Sequence, residues 1–256
     1  MNNGTKIEIR NLTMAYGENV IMRDINARVK GDSVFVIMGN SGSGKSTLLR
    51  HMIGLQTPAS GDVLYDGQSF WSMDDDARRT QLRKCGVLFQ SGALWSSMTL
   101  AENVALPLQE YTEWSASDVH DIVRLKLSLV GLGGFEDYYP AEISGGMRTR
   151  AGLARAMALD PEILFFDEPS AGLDPITSRN LDELILDLRN SLGATVVVVT
   201  HELASIFLIA DDSIFLDAET RTVRVQGNPK ELLEHTTDPK LRAFLTRGAS
   251  AEEAKK

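Results

Sequence analysis

Residues 39–47 read Gly39-Asn40-Ser41-Gly42-Ser43-Gly44-Lys45-Ser46-Thr47, which matches the pattern G-x-x-x-x-G-K-[ST]. The apolar run 34–38 before them predicts a buried strand, and residues 46–53 behind them predict a helix. A glycine-rich loop between a strand and a helix is the setting in which this pattern binds phosphate. The alternative, a Gly/Ser-rich linker that happens to hold a lysine, explains neither flank.

The glycines of this loop explain how it would hold an anion. Gly39, Gly42 and Gly44 lack a Cβ, so the backbone can curl until successive N–H groups point inward. Such a nest binds anionic oxygens, and the start of the following helix adds its positive partial charge. We expect Lys45 to reach the β- and γ-phosphates of a nucleotide and the Ser46 hydroxyl to ligate Mg²⁺.

Composition limits the classes of protein to be considered. The 256 residues carry a net charge of −9, and 43% of them are hydrophobic, enough for one large domain or two small ones. An acidic chain is a poor general nucleic-acid binder, so we predict no nucleic-acid partner. The single cysteine, Cys85, excludes an internal disulfide, and no apolar run reaches the length of a membrane span.

The apolar patterns along the chain predict an α/β fold. Strands are predicted at 6–14, 20–29, 34–38, 62–65, 86–89, 163–166, 195–200, 213–217 and 221–226. Helices are predicted at 46–53, 74–84, 125–132, 143–159, 176–192, 229–235 and 239–247, and a capping box at Thr99–Glu102 opens one more. The run 195–200 holds four consecutive valines between two threonines, and this continuous apolar character indicates burial on both faces and hence a parallel sheet.

The middle of the chain differs in character from its two ends. Residues 91–159 are mostly helical by pattern, and we interpret them as a helical subdomain inserted in the α/β core. The predicted organisation is therefore an N-terminal part of the core at 1–90, the helical subdomain at 91–159, the C-terminal part of the core at 160–247, and a polar tail at 248–256.

Acidic and imidazole side chains follow two of the predicted buried strands. Asp167 and Glu168 come directly after the strand 163–166, and His201 follows the strand 195–200. Ligands of open α/β sheets bind at the carboxyl ends of the strands, so these side chains would face the phosphate loop. The alternatives are a solvated acidic turn and a structural histidine.

Two further features have both a structural and a functional interpretation. Tyr16 could stack on a nucleotide base or serve in packing. Ser144, Gly145 and Gly146 open a predicted helix, whose bare N–H groups could take an anion. The alternative is an ordinary serine-capped helix.

Taken in order, these motifs resemble the nucleotide-binding subunit of an ABC transporter, over residues 6–247. The matching features are Tyr16, the phosphate loop, Gln90, Ser144-Gly145-Gly146, Asp167-Glu168, residues 170–174 and His201. The resemblance implies a P-loop NTPase with a mostly parallel core sheet, an antiparallel β subdomain and an inserted helical subdomain. It also implies an ATPase that requires ATP and Mg²⁺.

The resemblance assigns a role to each matching residue around the nucleotide. Tyr16 would stack on adenine, and Gln90 would meet Mg²⁺ and sense the nucleotide. Asp167 would hold Mg²⁺ through water, and Glu168 would polarise the attacking water as general base. His201 would hydrogen-bond the γ-phosphate.

The remaining motif residues are assigned to contacts between two copies of the chain. Asp174 would couple the protomers. Ser144 and Gly146 would grip the γ-phosphate bound to the other protomer, so that a homodimer docks head-to-tail around two ATP molecules. The family signature usually reads Leu-Ser-Gly-Gly-Gln; here Ile143 and Met147 replace its first and last residues. The change at Met147 leaves open any polar contact to the opposite nucleotide.

The methionine points to a narrower group. Residues 144–156, 86–95 and 102–108 resemble the ATPases of MCE-type lipid transporters, the MlaF-like group. This resemblance implies membrane-spanning permease subunits as partners, contacted by Gln90 and residues 94–108, and an MCE-domain substrate-binding protein. It also implies phospholipid as cargo and a peripheral position at the cytoplasmic face of the inner membrane.

Three alternatives stay open at this point. The chain could serve a small-solute importer, which only the permease would decide. It could be a soluble ABC ATPase acting on DNA or ribosomes, although each motif occurs once, no sustained heptads appear and the charge is acidic. It could also be a nucleotide-regulated assembly factor that hydrolyses little, against which Glu168 argues.

Overall fold

The computed structural model describes residues 4–248, which form two compact units. The first unit holds residues 4–73 and 199–248, and the second holds Asp74–Val198. The predicted polar tail lies outside the described residues, apart from Gly248. In chain order the described strands and helices are β1 (Thr5–Tyr16), β2 (Asn19–Lys30), β3 (Val34–Gly39), α1 (Lys45–Met52), β4 (Ser60–Tyr65), β5 (Gln68–Ser69), α2 (Asp75–Arg83), β6 (Cys85–Leu88), α3 (Leu100–Tyr111), α4 (Ala116–Leu129), α5 (Gly145–Ala156), β7 (Ile163–Asp167), α6 (Pro175–Leu192), β8 (Thr195–Val199), α7 (Leu203–Ile209), β9 (Asp212–Asp217), β10 (Thr222–Gly227), α8 (Pro229–His235) and α9 (Pro239–Leu245).

The first unit contains an antiparallel sheet and the strand that leads to the phosphate loop. The antiparallel sheet has the order β2-β1-β4-β5. All six residues of β3 are buried, as its continuous apolar sequence predicts. β3 pairs in parallel with β9, and β9 pairs antiparallel with β10. β3 is therefore a core strand, and its last residue, Gly39, is the first residue of the phosphate loop.

The second unit combines parallel strands with most of the long helices. β6 and β7 pair in parallel from Cys85–Ile163 to Leu88–Phe166, and β8 lies beside β7. The helix α3 begins at the predicted capping box, in which the Thr99 N–H donates to Glu102 Oε2 at 2.7 Å and the Glu102 N–H donates to Thr99 Oγ1 at 3.2 Å. The predicted fold class, with a mostly parallel core, an antiparallel sheet and a helical insertion, is confirmed.

Several helix bounds were predicted wrongly: α4 begins at Ala116 and not at residue 125, α9 ends at Leu245 and not at residue 247, and α4 and α5 both end early. α4 ends at Leu129 because Gly131, at φ +73°, closes a Schellman motif: the N–H of Leu132 donates to Leu127 O at 2.8 Å, and that of Gly131 to Ser128 O at 2.9 Å. α5 ends at Ala156, short of residue 159.

The chain reverses soon after α5, at Asp160. This residue adopts φ +49°, and its carboxylate pairs with the buried Lys126 of α4.

The predictions also missed the helix α7, which has no side-chain cap at its start to mark it. Among residues 4–248, no helix combines the length and the apolar character needed to span a bilayer.

Candidate nucleotide-binding site

The phosphate loop joins β3 to α1 in the first unit, and its fold requires glycine at two positions, Gly39 and Gly44. A Cβ on Gly39 would lie 2.6 Å from Ser43 Oγ and 2.7 Å from Leu216 O. Gly44 caps α1 in the left-handed conformation, at φ +84°, and a Cβ there would lie 3.2 Å from the Met14 side chain. Glycine is thus required by space at the first position and by conformation at the second.

The polar groups inside this loop fit a phosphate. Lys45 Nζ donates to the carbonyl oxygens of Gly39 at 3.0 Å and Asn40 at 3.2 Å, which holds the ammonium over the curled backbone. The Ser43 hydroxyl is buried, and no residue that the structure describes hydrogen-bonds to it. A buried hydroxyl without a partner is costly unless a ligand supplies one. The ammonium, the hydroxyl and the bare helix start therefore suit an anionic oxygen group.

Tyr16 and His201 belong to the same unit as the loop. Tyr16 ends β1, two residues after Met14, whose side chain lies close to Gly44. Tyr16 is 50% exposed. His201 follows Thr200, whose N–H donates to Ile37 O of β3 at 3.3 Å. The structure therefore brings the end of β1 and the start of β2 to the loop, and it places the backbone of Thr200, the neighbour of His201, beside the strand that leads into the loop.

The acidic pair lies in the second unit, at the carboxyl end of β7. Four fully buried residues precede the half-buried Asp167. Glu168 adopts φ +49°, which costs a residue with a Cβ about 1–2 kcal/mol. Its carbonyl accepts from the Ala171 N–H at 3.1 Å, which closes the turn. This conformation is compatible with the catalytic role predicted for Glu168, which stays a prediction.

The Ser144-Gly145-Gly146 motif is the start of α5. Ser144 caps the helix: its Oγ accepts from the Met147 N–H at 3.3 Å, so the hydroxyl hydrogen remains available for another acceptor. Gly145 and Gly146 are the first helical residues, whose N–H groups have no intrahelical acceptor. A Cβ on Gly146 would lie 2.6 Å from Thr177 Cγ2, so the starts of α5 and α6 are in close contact.

Asp174 caps the neighbouring helix α6. Its Oδ1 accepts from the N–H groups of Ile176 and Thr177, both at 3.0 Å, and its Oδ2 accepts from Thr177 Oγ1 at 2.5 Å. These bonds, the Thr177 hydroxyl first, lower the pKa of the Asp174 carboxyl, so it is ionised at neutral pH. The side chain that was predicted to couple protomers thus also defines a helix start.

Gln90 opens a turn with an unusual backbone. It begins a single 3-10 turn, Gln90–Gly92, and its side chain is exposed. The next three residues are all left-handed: Ser91 at φ +57°, Gly92 at +80° and Ala93 at +44°. Arg155 of α5 reaches this turn, donating from Nη2 to Gly92 O at 2.8 Å and from Nη1 to Ala93 O at 2.9 Å. Sequence reasoning gave Arg155 no role; its one signal is a charge among the small apolar residues of α5.

The second unit also contains an open groove, beside α2, α3 and α5. Its volume is about 1110 Å³, and its charged and aromatic lining residues are Arg79, Arg83, Phe89, Trp95, Glu110, Tyr111 and Arg155. The Arg83 guanidinium lies 5.2 Å from the centre of the Tyr111 ring, a cation–π distance.

Asn103 fixes the turn that carries Trp95 at this groove. Its side-chain amide accepts from the Trp95 N–H at 2.8 Å and donates to the Trp95 carbonyl at 3.1 Å. Sequence reasoning assigned residues 94–108 to this region but did not identify Arg79, Arg83 or Tyr111.

The predicted magnesium ligands do not form a preassembled cluster of acids. Among residues 4–248 no group of three or more His, Cys, Asp and Glu side chains could hold a metal ion. Ser46 lies in the first unit, whereas Gln90 and Asp167 lie in the second. Their role as ligands stays a prediction.

Comparison with known proteins agrees with this geometry. Residues 22–171 match the family model described as ABC transporter. The chain is 40% identical over 239 residues to the intermembrane phospholipid transport system ATP-binding protein MlaF of Escherichia coli K12, covering 93% of this chain and 88% of that protein. It is 42% identical over 242 residues to the probable ribonucleotide transport ATP-binding protein mkl of Mycobacterium leprae, covering 94% and 69%.

A solved structure gives the same result. The ATP-binding cassette MJ0796, in a dimeric post-hydrolysis state bound to ADP and Pi, superposes with a TM-score of 0.78 at 31% identity, over 87% of this chain and 98% of that chain. The match to the family model extends across the phosphate loop, Gln90 and the acidic pair. The chain belongs to the ABC transporter family, as one of its ATP-hydrolysing cassettes.

Proposed function

We propose that this chain powers a phospholipid transporter, as a homodimer in which two copies enclose two ATP molecules head-to-tail. The observation that carries the proposal is the start of α5. Each chain has a phosphate loop of its own and, in the other unit, a second anion-binding feature whose Ser144 hydroxyl and two glycine N–H groups are available. A second copy would supply the γ-phosphate that this feature needs.

The predicted residues suit hydrolysis of the γ-phosphate. Water oxygen attacks the γ-phosphorus while the bond to the β,γ-bridging oxygen breaks, and Glu168 accepts the proton of the water. Lys45, His201 and the loop N–H groups stabilise the negative charge of the transferring group. Ser46, Gln90 and Asp167 would hold Mg²⁺, which supplies further charge neutralisation when bound.

Closure of the dimer would link this chemistry to movement. Ser144 and Gly146 of the second copy complete each site only when the two chains meet. Asp174, which defines the start of α6 beside that of α5, would contact the other copy at the same time. ATP binding would therefore favour the closed dimer, and release of ADP and phosphate the open one.

The groove of the second unit is proposed as the place where a permease docks. Three arginines and one glutamate are its charged lining residues, although the chain as a whole carries a net charge of −9. This local positive charge would suit a short cytoplasmic helix that presents an acidic side chain beside apolar ones. Such docking would hold the chain at the cytoplasmic face of the inner membrane.

Phospholipid is favoured as cargo by the name of the Escherichia coli relative and by residues 144–156, which carry the same resemblance. The mycobacterial relative's name gives ribonucleotide transport, so an importer of small solutes is the second candidate. Purification of the tagged chain in mild detergent separates the two. A polytopic permease with an MCE-domain protein and bound phospholipid is expected; a permease with a solute receptor and no lipid would contradict the proposal.

The ATPase and the dimer are tested together by Glu168→Gln. We expect turnover to fall roughly 100-fold or more, because the amide cannot accept the proton of water. ATP binding is expected to persist, and the closed dimer to accumulate in size-exclusion chromatography with ATP. Glu162→Gln, an exposed acid just before β7, is the matched control and should keep the parent rate. Hydrolysis at the parent rate in Glu168→Gln would show that another group is the base, and a monomer in ATP would refute the dimer.

A further inference from the structure

Residues 91–93, the turn that directly follows Gln90, adopt a backbone conformation that contacts with other parts of the chain must stabilise. Ser91, Gly92 and Ala93 are left-handed in succession, and two of them carry a Cβ that disfavours this region. Single residues enter it routinely, but runs do not. The local sequence therefore does not account for the conformation, and the contacts that the turn receives must.

Arg155 provides one such contact. Its guanidinium donates to two successive carbonyls of the turn, at 2.8 and 2.9 Å. A planar fork can span two acceptors at fixed separation, which a single ammonium cannot do. Burial lowers the pKa of the Arg155 guanidinium, which remains charged at neutral pH. Both bonds to the turn are thus charge-assisted; the one to Gly92 is partly buried and the one to Ala93 is exposed.

The second contact is backbone against backbone. A Cβ on Gly152 would lie 2.7 Å from Gly92 Cα and 2.8 Å from Gly92 O. A Cβ on Gly92 would lie 2.4 Å from Arg148 O. The turn therefore rests directly on the surface of α5, with no side chain between them that could rearrange.

These contacts join two parts of the predicted catalytic machinery. Gln90 lies immediately before the restrained turn, and Ser144 and the two glycines lie at the start of the helix that restrains it. We propose that Arg155, with the Gly92–Gly152 contact, is a positioning residue for ATP hydrolysis that fixes Gln90 relative to the Ser144–Gly146 helix start. The inference rests on the proposed function of that site and adds a residue to it.

Arg155→Lys tests this role with the charge retained. We expect kcat for ATP to fall roughly tenfold, because Gln90 is no longer held in place. KM for ATP should stay within about twofold, since the phosphate loop belongs to the other unit and is unchanged. Arg150→Lys makes the same substitution elsewhere on α5 and should leave both constants at the parent values. Loss in both variants, or in neither, would overturn the inference.

A double-mutant cycle with Gln90→Ala separates positioning from general damage. If Arg155 acts through Gln90, the double variant is no slower than Gln90→Ala alone. Multiplying losses would mean that Arg155 acts independently of Gln90, which would overturn the proposal. Hydrogen exchange should also rise at residues 91–93 in Arg155→Lys, with α5 still protected.

Arg155→Met serves the same cycle if the lysine variant is not recovered folded, because it keeps the apolar stem without an unpaired buried charge. Failure of this inference leaves the Glu168→Gln result untouched. Failure of the proposed function would instead appear as hydrolysis at the parent rate by Glu168→Gln, so the two failures are distinguishable.

Discussion

Lys45 shows how a single side chain prepares the phosphate loop for its ligand. Lys45 as a residue is 7% exposed, and its ammonium donates to two carbonyls of its own loop. Because it is already dehydrated and held above the curled backbone, little conformational entropy is lost when it transfers to a phosphate. The same position makes the residue sensitive to replacement.

Lys45→Ala is expected to weaken ATP binding roughly 10- to 100-fold, since one or two charge-assisted hydrogen bonds to phosphate are lost. Isothermal titration calorimetry with ATP measures the Kd directly. Lys30→Ala removes an exposed lysine from the end of β2 and is the control that should bind as the parent does. An unchanged Kd in Lys45→Ala would contradict the role given to the loop.

Single residues were predictable where their chemistry is local. The spacing alone predicts the curled loop that the structure shows at its glycines and Lys45, and the place of Ser144 before a helix predicts its cap. The roles of these residues towards a nucleotide stay predictions. Arg155 was not predictable, because its partners Gly92 and Ala93 are more than 60 positions away in sequence and nothing local marks the contact. The left-handed Ser91 and Ala93 were missed for the same reason.

Among the elements, the β9–β10 hairpin and α9 are tied together by charge. Burial alone would raise the pKa of the Asp217 carboxyl, but hydrogen bonds from Arg224 Nε at 2.6 Å, from the Glu219 N–H and from Thr220 outweigh it and lower the pKa to about 2. Arg224 also pairs with Asp238, the cap of α9. The network fixes the last described helix to the hairpin.

The sign of its pH dependence follows from the direction of the pKa shift. The folded pKa lies below the unfolded value of 3.8, so the stabilisation is present above that value and is lost as the pH falls towards 2. Asp217→Asn should lower the free energy of unfolding at pH 7 by on the order of 1 kcal/mol, and the difference from the parent should shrink in acid. Urea unfolding at pH 7 and near pH 2.5 measures both.

Glu219→Gln, which changes an exposed acid of the same hairpin, is the control and should have little effect at either pH. A difference between Asp217→Asn and the parent that stays constant with pH would contradict the role given to Asp217.

Elements with a strong periodic pattern were predicted closely, as for α6 with Gly193 after it and α8 with its Asn228 cap. α7 was missed because it directly follows an apolar strand and has no side-chain cap. The end of α4 was missed because Gly131 reverses the chain before the more obvious glycine pair at 133–134. The predicted helix boundaries were thus wrong where the conformation of one glycine or a tertiary contact decides where the helix ends.

At the scale of the whole molecule, the contrast between an acidic chain and an arginine-lined groove is the clearest indication of a partner. Arg83→Glu should weaken association with the permease at least roughly tenfold and leave ATP affinity unchanged, because it reverses a charge of the groove in the second unit, whereas the phosphate loop belongs to the first. Co-purification at two salt concentrations measures this, since an electrostatic contact weakens as salt rises.

Arg124→Glu makes the same change on α4, outside the groove lining, and should retain the partner. Equal loss of the permease in both variants would mean that overall charge, rather than the groove, governs the association.

The three consecutive positive φ angles at Ser91–Ala93 affect how this turn would respond to a partner bound in the groove. Ala93 of the restrained turn and Arg155, which holds this turn, both line the groove. A partner bound in the groove would therefore contact the residues that fix the turn. Left-handed and extended backbones are separated by a sterically forbidden zone near φ zero, so these peptides cannot yield by degrees. We therefore expect a conformational change of this turn to be a switch between two discrete backbone conformations, with no stable intermediate.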